Sequence, residues 1–320
     1  MKALVTGSSG FIGRELIDEL INHRFEVTSV SRKKLELKNQ KGFVIESIDG
    51  LTQWPRELFE VDVVFHLAAC VHVMQEGSSN SGVNYFAVNL DGTANLALQA
   101  ARVGVKRFVY VSSIKVNGEH TSEGCSFNES CIPNPQDPYA SSKWEAEKTL
   151  HSIARETGLE IVIVRPPLVY GPNVKANFAK LMDLVDRGIP LPLGSVENAR
   201  SLIFVGNLTD ALIACATHPA AAGKTYLVSD GEAVSTPQLI KAISMALNRP
   251  NLNLPVPVEL MRLIAKLMGK SAAVERLTQS LVIDSSRIRN ELGWIPPFSM
   301  TQGLAATVDG YRSVKSKRAL

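Results

Sequence analysis

The sequence predicts an α/β protein: a Rossmann-type doubly wound parallel sheet followed by a smaller, mostly helical C-terminal lobe. Three observations carry this. A glycine-rich turn, Gly7-Ser8-Ser9-Gly10-Phe11-Ile12-Gly13, directly follows the apolar run Ala3-Leu4-Val5 and Thr6. Short apolar runs rich in Val and Ile then alternate with amphipathic stretches as far as Arg165. Beyond Arg165 the alternation gives way to helical segments punctuated by Pro166-Pro167, Gly171-Pro172 and Pro190-Leu191-Pro192-Leu193-Gly194.

Residues 3–5, 27–30, 61–66, 108–112 and 161–165 read as strands, because near-continuous β-branched runs suit a sheet covered on both faces. Residues 11–23, 85–103 and 138–157 read as the helices between them. Such alternation requires right-handed crossovers, hence a parallel sheet that binds ligands at the carboxyl ends of its strands. Residues 1–165 are expected to form this dinucleotide-binding domain, with 201–229 returning to the sheet through strands at 202–205 and 225–228. Residues 166–200 and 230–311 then form the second, substrate-binding lobe, and 312–320 a basic, frayed tail.

A chain of 320 residues can bury a large core, and its formal net charge of +3 argues against a nucleic-acid partner. Cys70, Cys125, Cys131 and Cys215 form no C-x-x-C pair, so neither a metal site nor a disulfide framework is expected. Met1-Lys2 runs straight into the first strand, which leaves no signal peptide and points to the cytoplasm. The longest apolar helix candidate, residues 258–268, contains Glu259, Arg262 and Lys266 and is too short to cross a bilayer. No transmembrane segment is expected; packing and interfacial contact are its two readings.

The first turn suits a dinucleotide. Gly7 permits the tight turn, Gly10 lets backbone approach a pyrophosphate, and Gly13 lets the next helix pack close to the strand. That helix points its N-terminal amides at the phosphates. The spacing is G-x-x-G-x-x-G, so a plain glycine turn is the competing reading. The second strand ends Val30-Ser31-Arg32-Lys33, with no acid in reach. A carboxylate there would bind the adenosine ribose and repel a 2′-phosphate, whereas Ser31, Arg32 and Lys33 can all bond that phosphate unless the cations are simply solvated. The expected cofactor is NAD(P)(H), leaning to NADP(H). Asp49 is placed to meet the adenine edge, and His66-Leu67-Ala68-Ala69 ends a strand where the cofactor must pass.

Tyr139-Ala140-Ser141-Ser142-Lys143 supplies the chemistry. Asp137 as N-cap and Pro138 at the first helical position open a helix. Tyr139 then lies in the first turn and Lys143 one turn later on the same face. A phenol of pKa about 10 is a poor base at neutral pH. A nearby cation, the helix N-terminus and an oxidised nicotinamide all favour phenolate. Lys143 can also hold the nicotinamide ribose, and Ser113 can hydrogen-bond the reacting oxygen. Tyr-x-x-x-Lys arises by chance on helices; with Ser112-Ser113 and the glycine turn upstream it indicates redox chemistry on an alcohol or ketone carbon.

These pieces resemble extended short-chain dehydrogenase/reductases, in the branch of NAD-dependent epimerase/dehydratases that act on nucleotide sugars. The similarity spans essentially the whole chain. Its motifs are residues 6–13, residues 66–69, Asn89 in Val88-Asn89-Leu90-Asp91-Gly92-Thr93, Ser113, Tyr139 with Lys143, Arg165-Pro166, Val169-Tyr170-Gly171-Pro172 and Leu292-Gly293-Trp294. The resemblance implies that Ser113, Tyr139 and Lys143 form the active triad. It implies cofactor contacts at Gly7, Ser9, Gly10, Phe11, Ile12, Gly13, Leu67, Ala68, Ala69, Asn89 and Pro166, beside Ser31, Arg32, Asp49, Tyr139 and Lys143. A nucleoside diphosphate sugar in the second lobe would meet Asn177, Arg200 and Arg276.

Two departures narrow what the resemblance implies. Dehydratases of the family carry Asp-Glu just after the active Ser or Thr; Ile114 and Lys115 stand there, so dehydration is not expected. Epimerases that hold NAD usually have Asp where Ser31 stands, and this moves weight towards a reductase that exchanges NADPH at every turnover. The implied activities are 4-epimerisation of a UDP-hexose or UDP-N-acetylhexosamine, or NADPH-dependent reduction of a UDP-4-keto-6-deoxy-N-acetylhexosamine in surface-polysaccharide synthesis. Lys115 is placed to reach a sugar or phosphate oxygen, or else is a solvated loop lysine. Asn117 lines the pocket or makes a turn before Gly118. His72 is a lesser acid/base candidate, and Trp144 reads as a packing residue. The apolar content of 85–103 and 144–153 suits a homodimer in which both helices pair with their mates.

Overall fold

A computed structural model describes residues 1–32, 41–71, 85–269 and 271–319. The first half runs β1 (Lys2–Thr6), α1 (Phe11–Asn22), β2 (Glu26–Ser31), β3 (Lys41–Val44), β4 (Val63–His66), α2 (Thr93–Arg102), β5 (Arg107–Val111), α3 (Pro138–Thr157) and β6 (Glu160–Arg165). The second half runs β7 (Leu168–Tyr170), α4 (Ala176–Asp186), β8 (Arg200–Phe204), α5 (Val205–Thr217), β9 (Thr225–Leu227), β10 (Ala233–Val234), α6 (Thr236–Leu247), α7 (Val258–Leu267), α8 (Ser271–Thr278), α9 (Ser286–Leu292) and α10 (Met300–Ala319).

Seven strands form one sheet in the order β3-β2-β1-β4-β5-β6-β9, and each adjacent pair is parallel. β1 lies between β2 and β4, so the order reverses there and opens the crevice where doubly wound sheets bind ligands. Thr6 is level with both Val30 and His66, which aligns the carboxyl ends of the three strands around the glycine turn.

Side chains alternate across the sheet, so each strand feeds two cores. On one face Ala3 and Val5 pack with Leu16, Ile17 and Leu20 of α1 and Leu208, Ala211 and Leu212 of α5. On the other, Leu4, Val64 and Phe108 pack with Leu96 and Ala97 of α2 and Leu150 and Ile153 of α3. Full burial of each Leu or Ile contributes about 1.5–3 kcal/mol.

The structure differs from expectation in four places. Thr225–Leu227 returns to the main sheet beside β6, but Arg200–Phe204 becomes the centre of a separate three-stranded sheet, β10-β8-β7. Pro166 and Pro167 lack the N–H groups that a continuing strand would donate, so the chain leaves the main sheet after β6. β3, a short and largely exposed edge strand, had no apolar run to announce it. The helix expected over 85–103 opens with a wider π-helical turn, Ala87–Gly92, before α2. The expected frayed tail instead continues α10 to Ala319, and Lys315 pairs with Asp186.

Among the described residues, no helix is long and apolar enough to cross a membrane, and no cluster of three or more His, Cys, Asp or Glu side chains could hold a metal ion.

Candidate active site

The glycine turn is shaped by close approach. Gly7 has φ +71°, and a Cβ there would lie 2.7 Å from the Ala68 nitrogen and 2.9 Å from the Leu67 carbonyl carbon. The loops after β1 and β4 therefore meet through bare backbone, with Leu67 N–H donating to the Thr6 carbonyl (3.3 Å) and Ala68 N–H to Thr6 Oγ1 (3.4 Å). Gly10 is the N-cap of α1, and no side chain caps that helix. Its first-turn N–H groups are thus left for an anion. A Cβ on Gly13 would fall 2.3 Å from the Gly7 carbonyl oxygen. Gly13 therefore lets α1 pack on the turn itself, where packing against the strand was expected. The Ser9 carbonyl accepts from Arg14 Nε at 3.2 Å, while Phe11 and Ile12 pack towards the core of the second lobe.

At the far end of this edge, Ser31 is buried, its carbonyl accepts from Ile45 N–H (3.1 Å), and Arg32 is exposed. Lys33 and His72 lie outside the described residues. Asp49 shapes its own turn: Oδ1 accepts from Leu51 N–H (2.9 Å) and Thr52 Oγ1 (3.3 Å), and the Leu51 bond first among these holds its carboxyl below the usual range. Ala69 follows in the partly buried loop after β4.

Ser113, Tyr139 and Lys143 converge beyond the end of β5. Ser113 opens a short 3₁₀ turn, Ile114–Val116, that is anchored by Ile114 N–H to the carbonyl of buried Pro166 (3.0 Å). Its Oγ accepts from Lys115 N–H (3.3 Å) and lies close enough to the Tyr139 phenol to favour its ionised form. Asp137 caps α3, with Oδ1 accepting from Ala140 N–H at 2.7 Å, and Pro138 takes the first helical position as expected. Lys143 is 2% exposed; its Nζ donates to the Val111 carbonyl (2.9 Å) and sits 4.5 Å from the centre of the Tyr110 ring. The Tyr85 ring stands edge-on to Tyr139 at 6.4 Å, a contact the sequence reading did not include.

Burial opposes the phenolate that the sequence led us to expect. It pushes Tyr139 up to about 12, against the nearby Ser113 hydroxyl, which lowers it. It also pulls Lys143 down to about 7, against the attraction of Glu147. This has a measurable consequence. Folded Lys143 holds its proton more weakly than the unfolded chain, so a penalty is present in full below pH about 7 and fades towards the ordinary lysine value of 10.5. The contribution of Lys143 to stability therefore rises with pH across that window, against the buried Cys215 thiol, whose raised pKa works the other way above about pH 9. Lys143→Met should remove the rise and be about 2–3 kcal/mol more stable than wild type near neutral pH, after loss of the Val111 bond. Urea unfolding of both proteins between neutral and alkaline pH checks this; parallel curves would contradict it.

Polar side chains beneath the site hold the loops in register. His66 is fully buried between Thr6 Oγ1 (2.7 Å to Nδ1) and Thr93 Oγ1 (2.9 Å to Nε2), and burial, with Lys143 nearby, lowers its pKa to about 3. Asn89 accepts from Cys70 N–H (2.8 Å) and donates to the Cys70 carbonyl (3.0 Å) and Ser142 Oγ (2.9 Å). Expected as a cofactor contact, Asn89 ties the loop after β4 to α3. Glu147 bonds Ser112 and takes both Arg165 Nε (3.0 Å) and Nη2. Arg165 Nη1 donates to Asn117 Oδ1 at 2.9 Å, which makes Asn117 a buried support beneath the site. Arg165 also lies 5.7 Å from the ring centre of partly buried Trp144.

The residues expected to meet substrate are placed unequally. Lys115 Nζ is paired with Asp137 (2.6 Å) and Glu119 (3.0 Å), so it clamps the Ser113 turn to the cap of α3 where an open cation was expected. Arg200 Nη1 donates to the carbonyls of Arg276 (2.9 Å) and Gln279 (3.1 Å), which joins the first residue of β8 to the end of α8. Arg200 and Arg276 are thus neighbours. Asn177 is exposed in the first turn of α4.

The arrangement matches known proteins. Residues 3–229 fit the model of the NAD dependent epimerase/dehydratase family. Over 316 residues the chain is 43% identical to a UDP-glucose 4-epimerase of Vibrio cholerae, covering 98% of this chain and 96% of that one. Over 332 residues it is 24% identical to the N-acetyl-alpha-D-glucosaminyl-diphospho-ditrans,octacis-undecaprenol 4-epimerase of Escherichia coli O157:H7, covering 98% and 96%. Among solved structures, the Thermus thermophilus UDP-glucose 4-epimerase complex with NAD aligns at a TM-score of 0.73 and 25% identity, over 98% of this chain and 99% of that one.

Proposed function

The chain belongs to the NAD-dependent epimerase/dehydratase family, and from that premise we propose that it inverts C4 of a UDP-hexose or UDP-N-acetylhexosamine through a 4-keto intermediate. The observation that carries the reading is the placement of Ser113 beside the Tyr139 phenol with buried Lys143 one turn along α3, at the carboxyl end of the sheet. The family relative from Vibrio cholerae, called a UDP-glucose 4-epimerase, supports chemistry at C4.

The residues present suit a dinucleotide, since the uncapped first turn of α1 beside Gly10 can donate N–H bonds to a pyrophosphate. Bound NAD(P) supplies the hydride acceptor, and later the donor. The protein's part is proton management and orientation. Tyr139, as the phenolate that the bound oxidised nicotinamide and Lys143 would favour, would accept the C4 hydroxyl proton, and Ser113 Oγ would hold the same oxygen. Lys143 contributes positive charge and a donor for the nicotinamide ribose. With a pKa of about 7, Lys143 is only partly charged at neutral pH, and a phenolate on Tyr139 would favour its charged form. A homodimer packed through α2 and α3 belongs to the same reading, as does a UDP-sugar beside Arg200 and Arg276.

One observation favours a second reading. Ser31 and exposed Arg32 stand at the end of β2 where a carboxylate would hold NAD, which suits a reductase that exchanges NADPH. Dehydration is disfavoured because Ile114 and ion-paired Lys115 follow Ser113. Proton NMR of UDP-glucose and UDP-N-acetylglucosamine with catalytic NAD+ or NADP+ tests the proposal. Accumulation of the galacto epimer over many turnovers per cofactor is expected. No epimer from either sugar, with oxidation of stoichiometric NADPH on a 4-keto sugar, would replace it with the reductase.

A further inference from the structure

Helix α7 carries far more apolar surface than the protein covers. At about 100° per residue, its inward side spans only about 60°, marked by Met261 and Ala265, both buried, and Val258, which packs on the core of the second lobe. Leu260, Leu263, Ile264, Leu267 and Met268 extend the apolar arc round to solvent and are 47%, 58%, 47%, 82% and 59% exposed. Glu259, Arg262 and Lys266 fill the narrow remaining edge. A helix that merely seals a core keeps an apolar stripe of about 100° and turns charge outward. Contiguous exposed apolar surface of this kind marks a contact face.

We propose that α7 is an interfacial helix that docks the second lobe onto an anionic lipid bilayer. Charge selects this occupant. Residues 241–270 contain five cations and a single acid, Glu259. Arg249 and Arg262 find partners outside that stretch, in Asp186 and Glu275, whereas Lys241 and Lys266 have no ion-pair partner among the described residues. Lys266, flanked by Leu263 and Leu267, can lay its stem on the apolar face and raise its ammonium to lipid phosphates. Length agrees: α7 has 10 residues, too few to span a membrane but enough to lie in its surface. Position gives the docking a use. α7 packs on α8, whose end holds Arg200, so the lipid surface would face the candidate substrate end of the lobe. None of this depends on which C4 reaction the protein performs.

Co-sedimentation of the full-length protein with vesicles tests the proposal. Vesicles of phosphatidylethanolamine with phosphatidylglycerol are compared with phosphatidylcholine alone. The protein is expected to pellet with the anionic vesicles and to be released as salt rises. Leu263→Ser/Leu267→Ser should weaken partitioning about a hundredfold, since two leucines leave the lipid. Its thermal midpoint and elution volume should stay those of wild type. Absence of pelleting with anionic vesicles at low salt overturns the proposal, and so does equal pelleting of the double variant. A wild-type oligomer that the double variant dissociates, without vesicle binding, assigns the face to a second copy and overturns it equally.

Discussion

Tyr139→Phe lowers turnover by about a thousandfold and leaves cofactor affinity within about twofold, the range expected when a positioned acid/base is lost but binding is not. The substitution removes one oxygen. The ring keeps its edge-on contact with Tyr85, α3 keeps its Asp137 cap, and Lys143 keeps its bond to the Val111 carbonyl. What goes is the phenol hydroxyl beside Ser113. Initial rates on the epimerised sugar, with dissociation constants for NAD+ and NADP+ from fluorescence titration, check both halves. Ser113→Ala should cost less, because it removes one hydrogen bond to the reacting oxygen and leaves the base. A Tyr139→Phe enzyme turning over within tenfold of wild type would sink the acid/base assignment.

Glu147→Ala destabilises the protein by about 3–5 kcal/mol, because it strands a buried cation. Arg165 is 4% exposed, and its guanidinium is held by both Glu147 oxygens and by Asn117. Removing the carboxylate also leaves Ser112 Oγ without its acceptor. The damage should reach the site, since Ser112 precedes Ser113 and its N–H is bonded to Val164 at 2.8 Å. Removing both charges with Glu147→Met/Arg165→Met should recover most of the loss, because two apolar side chains carry no uncompensated charge. Urea midpoints of the three proteins decide the matter. A single variant within about 1 kcal/mol of wild type would mean that water reaches Arg165.

Whatever is set by residues close in the chain was legible beforehand. The Tyr139–Lys143 spacing is one helical turn, and Asp137-Pro138 is a helix start wherever it occurs, so both followed from local geometry. Gly7 at φ +71° was legible for the same reason: only a residue without Cβ enters that turn beside the Ala68 backbone. The strand–helix alternation up to Arg165 likewise implied the parallel sheet and the end of it that binds ligands.

Pairing between distant segments was decided by tertiary structure. Lys115 read as a substrate contact or a solvated lysine, and Arg200 was implied as a substrate contact by the resemblance alone; their bonds to Asp137 and to the carbonyls of Arg276 and Gln279 were not legible. His66 does end β4 as read, but its bonds to Thr6 and Thr93, like those of Asn89 to Cys70 and Ser142, join segments that the sequence does not show to be neighbours. β8 reads like any buried strand, and only the proline break after β6 and its register with β7 remove it from the main sheet. Periodicity and capping encode backbone conformation and which face is buried. A charge or a strand edge chooses its partner only when the packed chain brings one within bonding distance.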